Sequence, residues 1–123
     1  MAIIVKKFGG SSVGSIEKIK HIAQQIALEK QPEDQIVIVV SAMGKTTDEF
    51  VKLAYEISDT PSRRELDMLL TAGERITMSL LSLALNEEGL ASISFTGSQS
   101  GILTDNSHCN AKIIRVNAFR ILD

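Results

Sequence analysis

The chain has 123 residues, 44% of them hydrophobic and 23% charged, and a formal net charge of −2. This length suits one globular domain, while the slightly negative charge and the lack of Trp give no basis for binding nucleic acid. The longest apolar run, Ile36–Val40, is far shorter than the ~20 residues of a membrane-spanning helix, so we expect no membrane segment. A single cysteine, Cys109, and apolar residues ahead of the first lysines, the reverse of a secretory signal, favour a cytoplasmic protein.

The N-terminal third predicts a strand, a helix and a second strand. Ala2–Phe8 and Gln35–Ser41 are rich in Ile and Val, and the second is almost purely apolar, as is typical of a parallel sheet covered on both faces. Between them, Ser15–Glu29 has apolar residues at helical spacing, and Ser15 is a suitable N-cap. The apolar positions are Ile16, Ile19, Ile22, Ala23, Ile26 and Ala27. Together these elements predict a βαβ unit, whose crossover is nearly always right-handed.

More helices and strands follow. Helical spacing predicts one helix from Phe50 to Ile57 and a longer one from Leu66 to Ala84, preceded by a capping box that starts at Ser62. Gly73 interrupts the longer one, so a single helix and two helices that meet there both fit the pattern. The remaining predicted elements are a strand at Ala91–Thr96, weaker strands at Ile102–Thr104 and Lys112–Val116, and a helix that begins within Asn117–Asp123. We predict an α/β sandwich that continues beyond Asp123.

A run of small residues, VKKFGGSSVGS (Val5–Ser15), joins the first strand to the first helix. Glycines let backbone N–H groups approach an anion, the helix N-terminus adds partial positive charge, and Lys7 adds a full charge. Ligands of open α/β sheets bind at this end of the strands. The run does not match the G-x-G-x-x-G dinucleotide fingerprint. Two interpretations therefore stay open: a phosphate-binding loop, or an ordinary turn in which glycine supplies a positive φ.

A second polar loop, MGKTT (Met43–Thr47), follows the second strand. It is similar to the end of a P-loop, G-x-x-x-x-G-K-[ST], but the first glycine of that motif would fall at Val39, inside the strand. We therefore reject a P-loop. The carboxyl ends of parallel strands share one sheet edge, so this loop is expected beside Gly9–Gly14. Two polar loops side by side are what a two-substrate cleft needs.

Four blocks carry a family resemblance. They are KFGGSSVG (Lys7–Gly14), VSAMGKTTD (Val40–Asp48), ELDMLLTAGERI (Glu65–Ile76) and SFTGSQSGILTD (Ser94–Asp105). In order and spacing they closely resemble the N-terminal part of the aspartokinases, within the amino-acid kinase superfamily, except that Ser11 stands where that family commonly has threonine. The resemblance implies a three-layer αβα sandwich with a mainly parallel sheet. Residues 1–123 would then be the N-terminal part of one kinase domain, with the rest of that domain and ACT regulatory domains to follow.

The resemblance also implies an activity. This is transfer of the γ-phosphoryl group of ATP to the side-chain carboxylate of L-aspartate, giving 4-phospho-L-aspartate, the first step towards lysine, threonine and methionine. ATP, Mg²⁺ and L-aspartate would be the ligands, and a homo-oligomer is expected. A carboxylate with a pKa near ~4 is already ionised at neutral pH, so the nucleophile needs no general base. Catalysis should consist of positioning and charge neutralisation.

The first block is implied to bind the nucleotide. Lys7 would contact the phosphates and stabilise the phosphoryl group in transfer, as the catalytic residue. Phe8, Gly9 and Gly10 would line the nucleotide phosphates with their backbone. Because Lys6 and Lys7 alternate across a strand, a plain edge lysine is also an adequate account of either one.

The second and third blocks are implied to bind the acceptor. Ser41 and Thr47 would hydrogen-bond the bound aspartate, and Glu74 would pair with its α-ammonium group. Thr47 is equally suited to be only an N-cap of a helix over Asp48–Ile57, and Glu74 to be a solvated helical charge. Gly73 favours the functional interpretation, because a helix break there would turn Glu74 into the cleft.

Other functions stay open. His21 alone on a helix, and His108 beside Cys109 in a polar loop, have no further ligands nearby in sequence, so we predict no protein metal site. A related kinase acting on glutamate, acetylglutamate, carbamate or a nucleoside monophosphate is one alternative, although the GERI and SFTGSQSGI blocks favour aspartate. A non-catalytic interaction or regulatory module, or a part of the enzyme that is inactive alone and self-associates, is another.

Overall fold

The computed structural model describes residues 2–108 and 111–122. Its elements are β1 (Ile3–Phe8), α1 (Ile16–Glu29), β2 (Gln35–Val40), α2 (Thr46–Ile57), α3 (Arg63–Glu87), β3 (Ile102–Thr104), β4 (Ile113–Val116) and α4 (Phe119–Leu122). Strands β1 and β2 pair in parallel, and β3 and β4 form a separate antiparallel pair. The predicted βαβ unit and α/β class are confirmed.

The parallel pair buries one of its faces. It runs in register from Ile3 opposite Gln35 to Phe8 opposite Val40. Side chains on the inner face pack against the helical core; they are Phe8, Ile36, Ile38 and Val40. On the outer face, Val5 of β1 is 66% exposed and Val39 of β2 is 47% exposed. The apolar sequence of β2 predicted cover on both faces, whereas the described residues cover one.

The core lies between α1, α3 and the inner face of the sheet. Ser15 caps α1 by accepting a hydrogen bond from the Lys18 N–H at 3.2 Å, as predicted. The buried stripe of α1 is Ile19, Ile22, Ala23 and Ile26, and it meets Leu81 and Leu85 of α3. Each fully buried isoleucine or leucine contributes about 1.5–3 kcal/mol. Ile16, predicted for the same stripe, lies at the first position of α1 and is 47% exposed.

Helix α3 is continuous through Gly73. The alternative of two helices meeting there is wrong, and so is the idea that a helix break turns Glu74 into the cleft. Ser62 is the N-cap and accepts from the Glu65 N–H at 3.5 Å, so the predicted start is confirmed. Gly73 and Thr77 are buried, and the Thr77 hydroxyl donates to the Gly73 carbonyl at 3.1 Å. This glycine therefore serves packing within a helix.

The segment Ala91–Thr96 is not a strand. Its alternation of apolar and polar residues predicted one, but among the described residues it makes no strand pairing. Side chains hold it to the end of α3 instead: the Ser92 N–H donates to Asn86 Oδ1 at 3.0 Å, and the hydroxyls of Ser82 and Ser92 lie 2.9 Å apart. An alternating pattern predicts which side chains would share a face, but it does not show that another strand is available to pair with the segment. The prediction of a strand was wrong for that reason.

Helix α3 is also long and apolar. Its most hydrophobic window has a mean hydropathy of 1.3, which by length and composition alone would allow it to cross a membrane. Buried core helices of globular domains share these properties, and α3 packs its Leu81 and Leu85 stripe against α1. We interpret α3 as a core helix. The absence of a membrane segment stays a prediction.

Candidate functional site

The loop between β1 and α1 turns tightly at its glycines. The N–H groups of Ser12 and Val13 both donate to the Gly9 carbonyl, at 3.1 and 3.3 Å. Val13 is fully buried and anchors the loop in the core. From the first turn of α1, Lys18 Nζ donates to the Ser11 carbonyl at 3.0 Å. The burial of Val13 and the hydrogen bond from Lys18 therefore fix the position of this loop.

Gly10 is required because another loop approaches it. A Cβ built at Gly10 would lie 3.0 Å from the Gly44 carbonyl oxygen and 3.1 Å from that of Ala42. A Cβ at Gly9 would meet nothing within 4 Å. Gly9, Gly10 and Gly14 do not have a positive φ. Among the described glycines, a positive φ occurs at Gly44, Gly89 and Gly101. The interpretation of this run as a turn that needs glycine for positive φ is wrong.

Hydrogen bonds join the loops after β1 and β2 into one unit. The Gly44 N–H donates to the Gly10 carbonyl at 2.9 Å, and the Ser41 N–H donates to the Phe8 carbonyl at 3.3 Å. The Ser41 hydroxyl also points to the Phe8 carbonyl, at 3.5 Å. Gly44 takes a positive φ of 51°, a conformation that favours glycine. The two loops predicted to lie side by side are thus in direct contact at the carboxyl edge of the sheet.

The two lysines of β1 have different surroundings. Lys6 Nζ forms an ion pair with Glu29 Oε2 of α1 at 2.9 Å. Lys7 is exposed on the other face of the strand, and among residues 2–108 and 111–122 it has no hydrogen-bond or ion-pair partner. The strand's alternation therefore assigns Lys6 to structure and leaves Lys7 available to a ligand.

The carboxyl edge of the sheet, where these two loops lie, favours the binding of an anion. Helices α1 and α2 both begin where a strand of the parallel pair has just ended, so both positive helix ends lie at this edge. In the described part of the chain, the N–H groups of Gly10 and Ser11 donate to no protein acceptor. Together with Lys7 they provide the donors and the charge that a phosphate group needs.

A second wall of the site is made where α3 touches the loop after β2. A Cβ built at Gly73 would lie 3.0 Å from Ala42 Cβ and 3.3 Å from Thr46 Cγ2. The neighbouring residues are the predicted acceptor ligands: Ser41 precedes Ala42, Thr47 follows Thr46, and Glu74 follows Gly73. The structure therefore brings the three predicted positions to one junction between α3 and this loop.

Thr47 and Glu74 are both exposed at this junction. Thr47 is the second residue of α2, and the N-cap is Lys45, which makes no side-chain capping bond. The interpretation of Thr47 as an N-cap is wrong, and the predicted helix start at Asp48 is two residues late. Glu74 makes no hydrogen bond or ion pair within the described ranges. Its carboxylate is free to meet a cation.

Two features of the site escaped the sequence analysis. One is Lys18, whose bond to the Ser11 carbonyl holds the first loop; its place in the first helical turn was the available signal. The other is the contact of Gly73 with Ala42, for which a buried glycine inside a helix was the available signal. Two shallow grooves flank α1. One is lined by Phe8, Ser12 and Lys18 beside the glycine loop, and neither includes Lys7, Gly10 or Gly73.

The predicted absence of a metal site concerns His21, His108 and Cys109. Within the described residues, no group of three or more His, Cys, Asp and Glu side chains is placed to hold a metal ion. His108 Nδ1 lies 3.1 Å from Asp67 Oδ2 of α3, which ties the loop after β3 to that helix. Cys109 lies outside the described residues.

Comparison with known proteins gives consistent matches. Aspartokinase 2 of Bacillus subtilis is 54% identical over 123 residues, which is 100% of this chain and 30% of that protein. Aspartokinase of Geobacillus stearothermophilus is 53% identical over 121 residues, 98% of this chain and 30% of that protein. A crystal structure of aspartate kinase from Synechocystis matches with a TM-score of 0.77 and 54% identity, over 81% of this chain and 17% of that one. This match confirms the predicted fold class.

The chain spans about 30% of the length of the curated relatives it matches. A family model described as the amino acid kinase family matches residues 2–121, nearly all of the chain. With the glycine loop, the adjoining polar loop and the exposed lysine in their expected places, the chain belongs to the amino acid kinase family.

Proposed function

We propose that the protein to which this chain belongs is an aspartate kinase, which transfers the γ-phosphoryl group of ATP to the side-chain carboxylate of L-aspartate. The observation that carries the proposal is the joined pair of loops at the carboxyl edge of β1 and β2, with Lys7 unpaired beside them. It occurs in a chain about half identical, over nearly all its length, to proteins named aspartokinase.

The phosphate side of the reaction uses charge and backbone donors. Lys7 contacts the phosphates and neutralises negative charge on the phosphoryl group as it moves. Phe8, Gly9 and Gly10 place the backbone along the phosphate chain, and the open space at Gly9 admits a phosphate oxygen close to that backbone. Lys18 keeps this loop in shape through its bond to the Ser11 carbonyl and does not itself touch the substrate.

On the acceptor side, the site brings the negatively charged side chain of aspartate close to the negatively charged phosphates of ATP. The aspartate side chain is ionised at neutral pH, so an oxygen lone pair attacks the γ-phosphorus, the bond to the β,γ-bridging oxygen breaks, and ADP leaves with that electron pair. Ser41 and Thr47 donate hydrogen bonds to the bound aspartate, and Glu74 pairs with its α-ammonium group. No proton needs to be removed from the nucleophile, so the site needs no general base.

Mg²⁺ belongs to the proposal only as part of the nucleotide. The described residues present no group of three or more His, Cys, Asp and Glu side chains that could hold it. Mg²⁺ commonly binds with substrate phosphates and one or two carboxylates rather than in an all-protein cage. It would enter bound to ATP, and we assign it no ligand in this chain.

The proposal extends to the whole protein. Residues 1–123 would be the N-terminal part of one kinase domain, with the remainder of that domain and ACT regulatory domains beyond it. The protein would act in the cytoplasm as a homo-oligomer, at the first step towards lysine, threonine and methionine. A superfamily member with another acceptor is the second candidate, because the glycine loop and Lys7 serve phosphate transfer to any acceptor.

A substrate panel with the complete protein tests the proposal. ADP release would be followed with Mg-ATP and one acceptor at a time: L-aspartate, L-glutamate, N-acetyl-L-glutamate, carbamate and a nucleoside monophosphate. We expect turnover with L-aspartate and at least ~100-fold lower kcat/KM with the others, because a shifted carboxylate or a missing ammonium loses paired polar contacts. Equal or greater turnover with another acceptor would assign that acceptor instead. Hydroxylamine trapping of an acyl phosphate would identify the product.

A further inference from the structure

Gly73 occupies an unusual place for a glycine. It lies in the interior of α3, where glycine is unfavourable relative to alanine, and it is buried without a positive φ. Helix geometry therefore does not require it. A methyl group there would lie 3.0 Å from Ala42 Cβ, 3.3 Å from Thr46 Cγ2 and 3.4 Å from Phe50 Cε2. Gly73 is needed because α3 touches the loop after β2 at this point.

We propose that the contact between Gly73 and Ala42 sets the distance between the two walls of the acceptor site. Gly73 is then a positioning residue, which acts through Glu74 on one wall and Thr47 on the other. The inference rests on the proposed function, since it takes these side chains as acceptor ligands. It adds a determinant of acceptor binding that touches no substrate.

Neither wall can move away independently. Ala42 is 3% exposed, and its Cβ is attached directly to the backbone, so no rotamer change can clear the contact. The carbonyl of Ala42 abuts Gly10, and the next glycine, Gly44, is hydrogen-bonded to the Gly10 carbonyl. The contacts of this loop with Gly10 therefore hold Ala42 against displacement.

Helix α3 is equally fixed along the buried stripe that includes Gly73. One turn along from Gly73, Thr77 is fully buried and donates to the Gly73 carbonyl at 3.1 Å. Leu81 and Leu85 continue the same stripe into the core against α1. Since both walls are anchored, the strain of an added methyl group falls on the junction that carries Thr47 and Glu74.

The expected displacement is small, but it occurs at the junction that carries Thr47 and Glu74. Relief of a 3.0 Å carbon–carbon contact needs a shift of a few tenths of an ångström. Misplacement by about 1 Å costs a bound reaction about 10²-fold, so we expect a several-fold loss here. The loss should fall on the acceptor, because Ala42 and Thr46, which position 73 contacts, lie next to Ser41 and Thr47, whereas Lys7 lies on β1.

The test is a two-residue cycle in the complete protein: Gly73→Ala, Ala42→Gly and the double variant. Gly73→Ala should raise the KM for aspartate about fivefold or more and leave the KM for ATP within about twofold. In the double variant the methyl at position 73 enters the space vacated by Ala42, so its KM for aspartate should return to within about twofold of that of Ala42→Gly. Thermal unfolding of all four proteins accompanies the kinetics.

Three results would overturn the positioning role while the wild type remains an aspartate kinase. They are an unchanged KM for aspartate in Gly73→Ala, equal increases in KM for aspartate and ATP, and no recovery in the double variant. If the single variant Gly73→Ala does not fold, the double variant provides the test. The positioning role requires the double variant to fold and to have a KM for aspartate similar to that of Ala42→Gly. A wild-type protein without aspartate-dependent turnover would instead overturn the proposed function, and the positioning role with it.

Discussion

Replacing Lys7 by Met should abolish most of the activity of the complete protein and leave its fold intact. The side chain is exposed on the outer face of β1 and, among the described residues, has no protein partner to lose. Substitutions at such surface positions usually change the free energy of unfolding by less than about 0.5 kcal/mol. Methionine keeps the unbranched stem and removes only the charge.

The size of the kinetic effect follows from the charge. Two unit charges about 4 Å apart at an effective dielectric constant of about 20 attract each other by about 4 kcal/mol. If that attraction is gained mainly in the transition state, its loss lowers kcat by about 10³. The KM for ATP should change less, because the ground-state phosphates keep the backbone donors of the glycine loop.

Lys6 provides the matched control one residue away on the same strand. Lys6→Met removes the ion pair with Glu29, in which the side chains are 29% and 59% exposed, so we expect a loss of at most about 1 kcal/mol in unfolding free energy. Its kcat should stay within a few-fold of wild type. Steady-state assay of ADP release and denaturant unfolding of both variants make the comparison. A Lys7→Met enzyme with kcat within a few-fold of wild type would refute the catalytic role.

Three further predictions concern the acceptor wall, the glycine loop and the isolated chain. Glu74→Ala in the complete protein should raise the KM for aspartate by about 10-fold or more, through loss of a charged hydrogen bond, and change that for ATP little; equal increases in both would make Glu74 a structural residue. Gly10→Ala should lower the free energy of unfolding by about 1–3 kcal/mol, because the added methyl group meets two carbonyl oxygens. The control Gly9→Ala has open space around it and should change the free energy of unfolding by less than about 1 kcal/mol. Equal losses for the two variants in denaturant unfolding would contradict the packing role of Gly10. Residues 1–123 alone should show no aspartate-dependent ADP release and should self-associate in sedimentation, because apolar side chains such as Val5 (66% exposed) lie open on the sheet; turnover by a monomer would count against this.

Local chemistry made the placement of the two loops predictable. The glycines and hydroxyl residues after β1, and the polar loop after β2, were identified because small residues directly after a buried strand mark the ligand edge of a parallel sheet. What the loop glycines do was not predictable from sequence. Gly10 is needed because the carbonyls of Ala42 and Gly44 approach it, and that approach depends on how two distant loops meet.

Features that depend on long-range pairing were the ones missed. Ala91–Thr96 has a strand-like alternation, yet it finds no partner strand among the described residues and is held by Ser82 and Asn86 of α3. Gly73 suggested a helix break, because glycine weakens an isolated helix. In the structure, packing of α3 against the loop after β2 outweighs that propensity, so the helix runs through.

The assignment of roles to Lys6 and Lys7 shows what the fold adds to a motif. The motif match names Lys7 alone but leaves a plain edge lysine as an adequate account of it, whereas the register of β1 with β2 and the position of Glu29 on α1 fix the faces of both lysines. The inward-facing lysine has its charge balanced by Glu29, and its ammonium group would have to give up that partner to reach a phosphate. The outward-facing lysine meets no such cost. A shift of β1 by one residue would exchange the two faces, bury Lys7 against α1 and leave Lys6 at the ligand edge. Phe8 packs against the core from the inner face, and this shift would expose it, so the contact that stabilises the sheet also keeps Lys7 on the outer face.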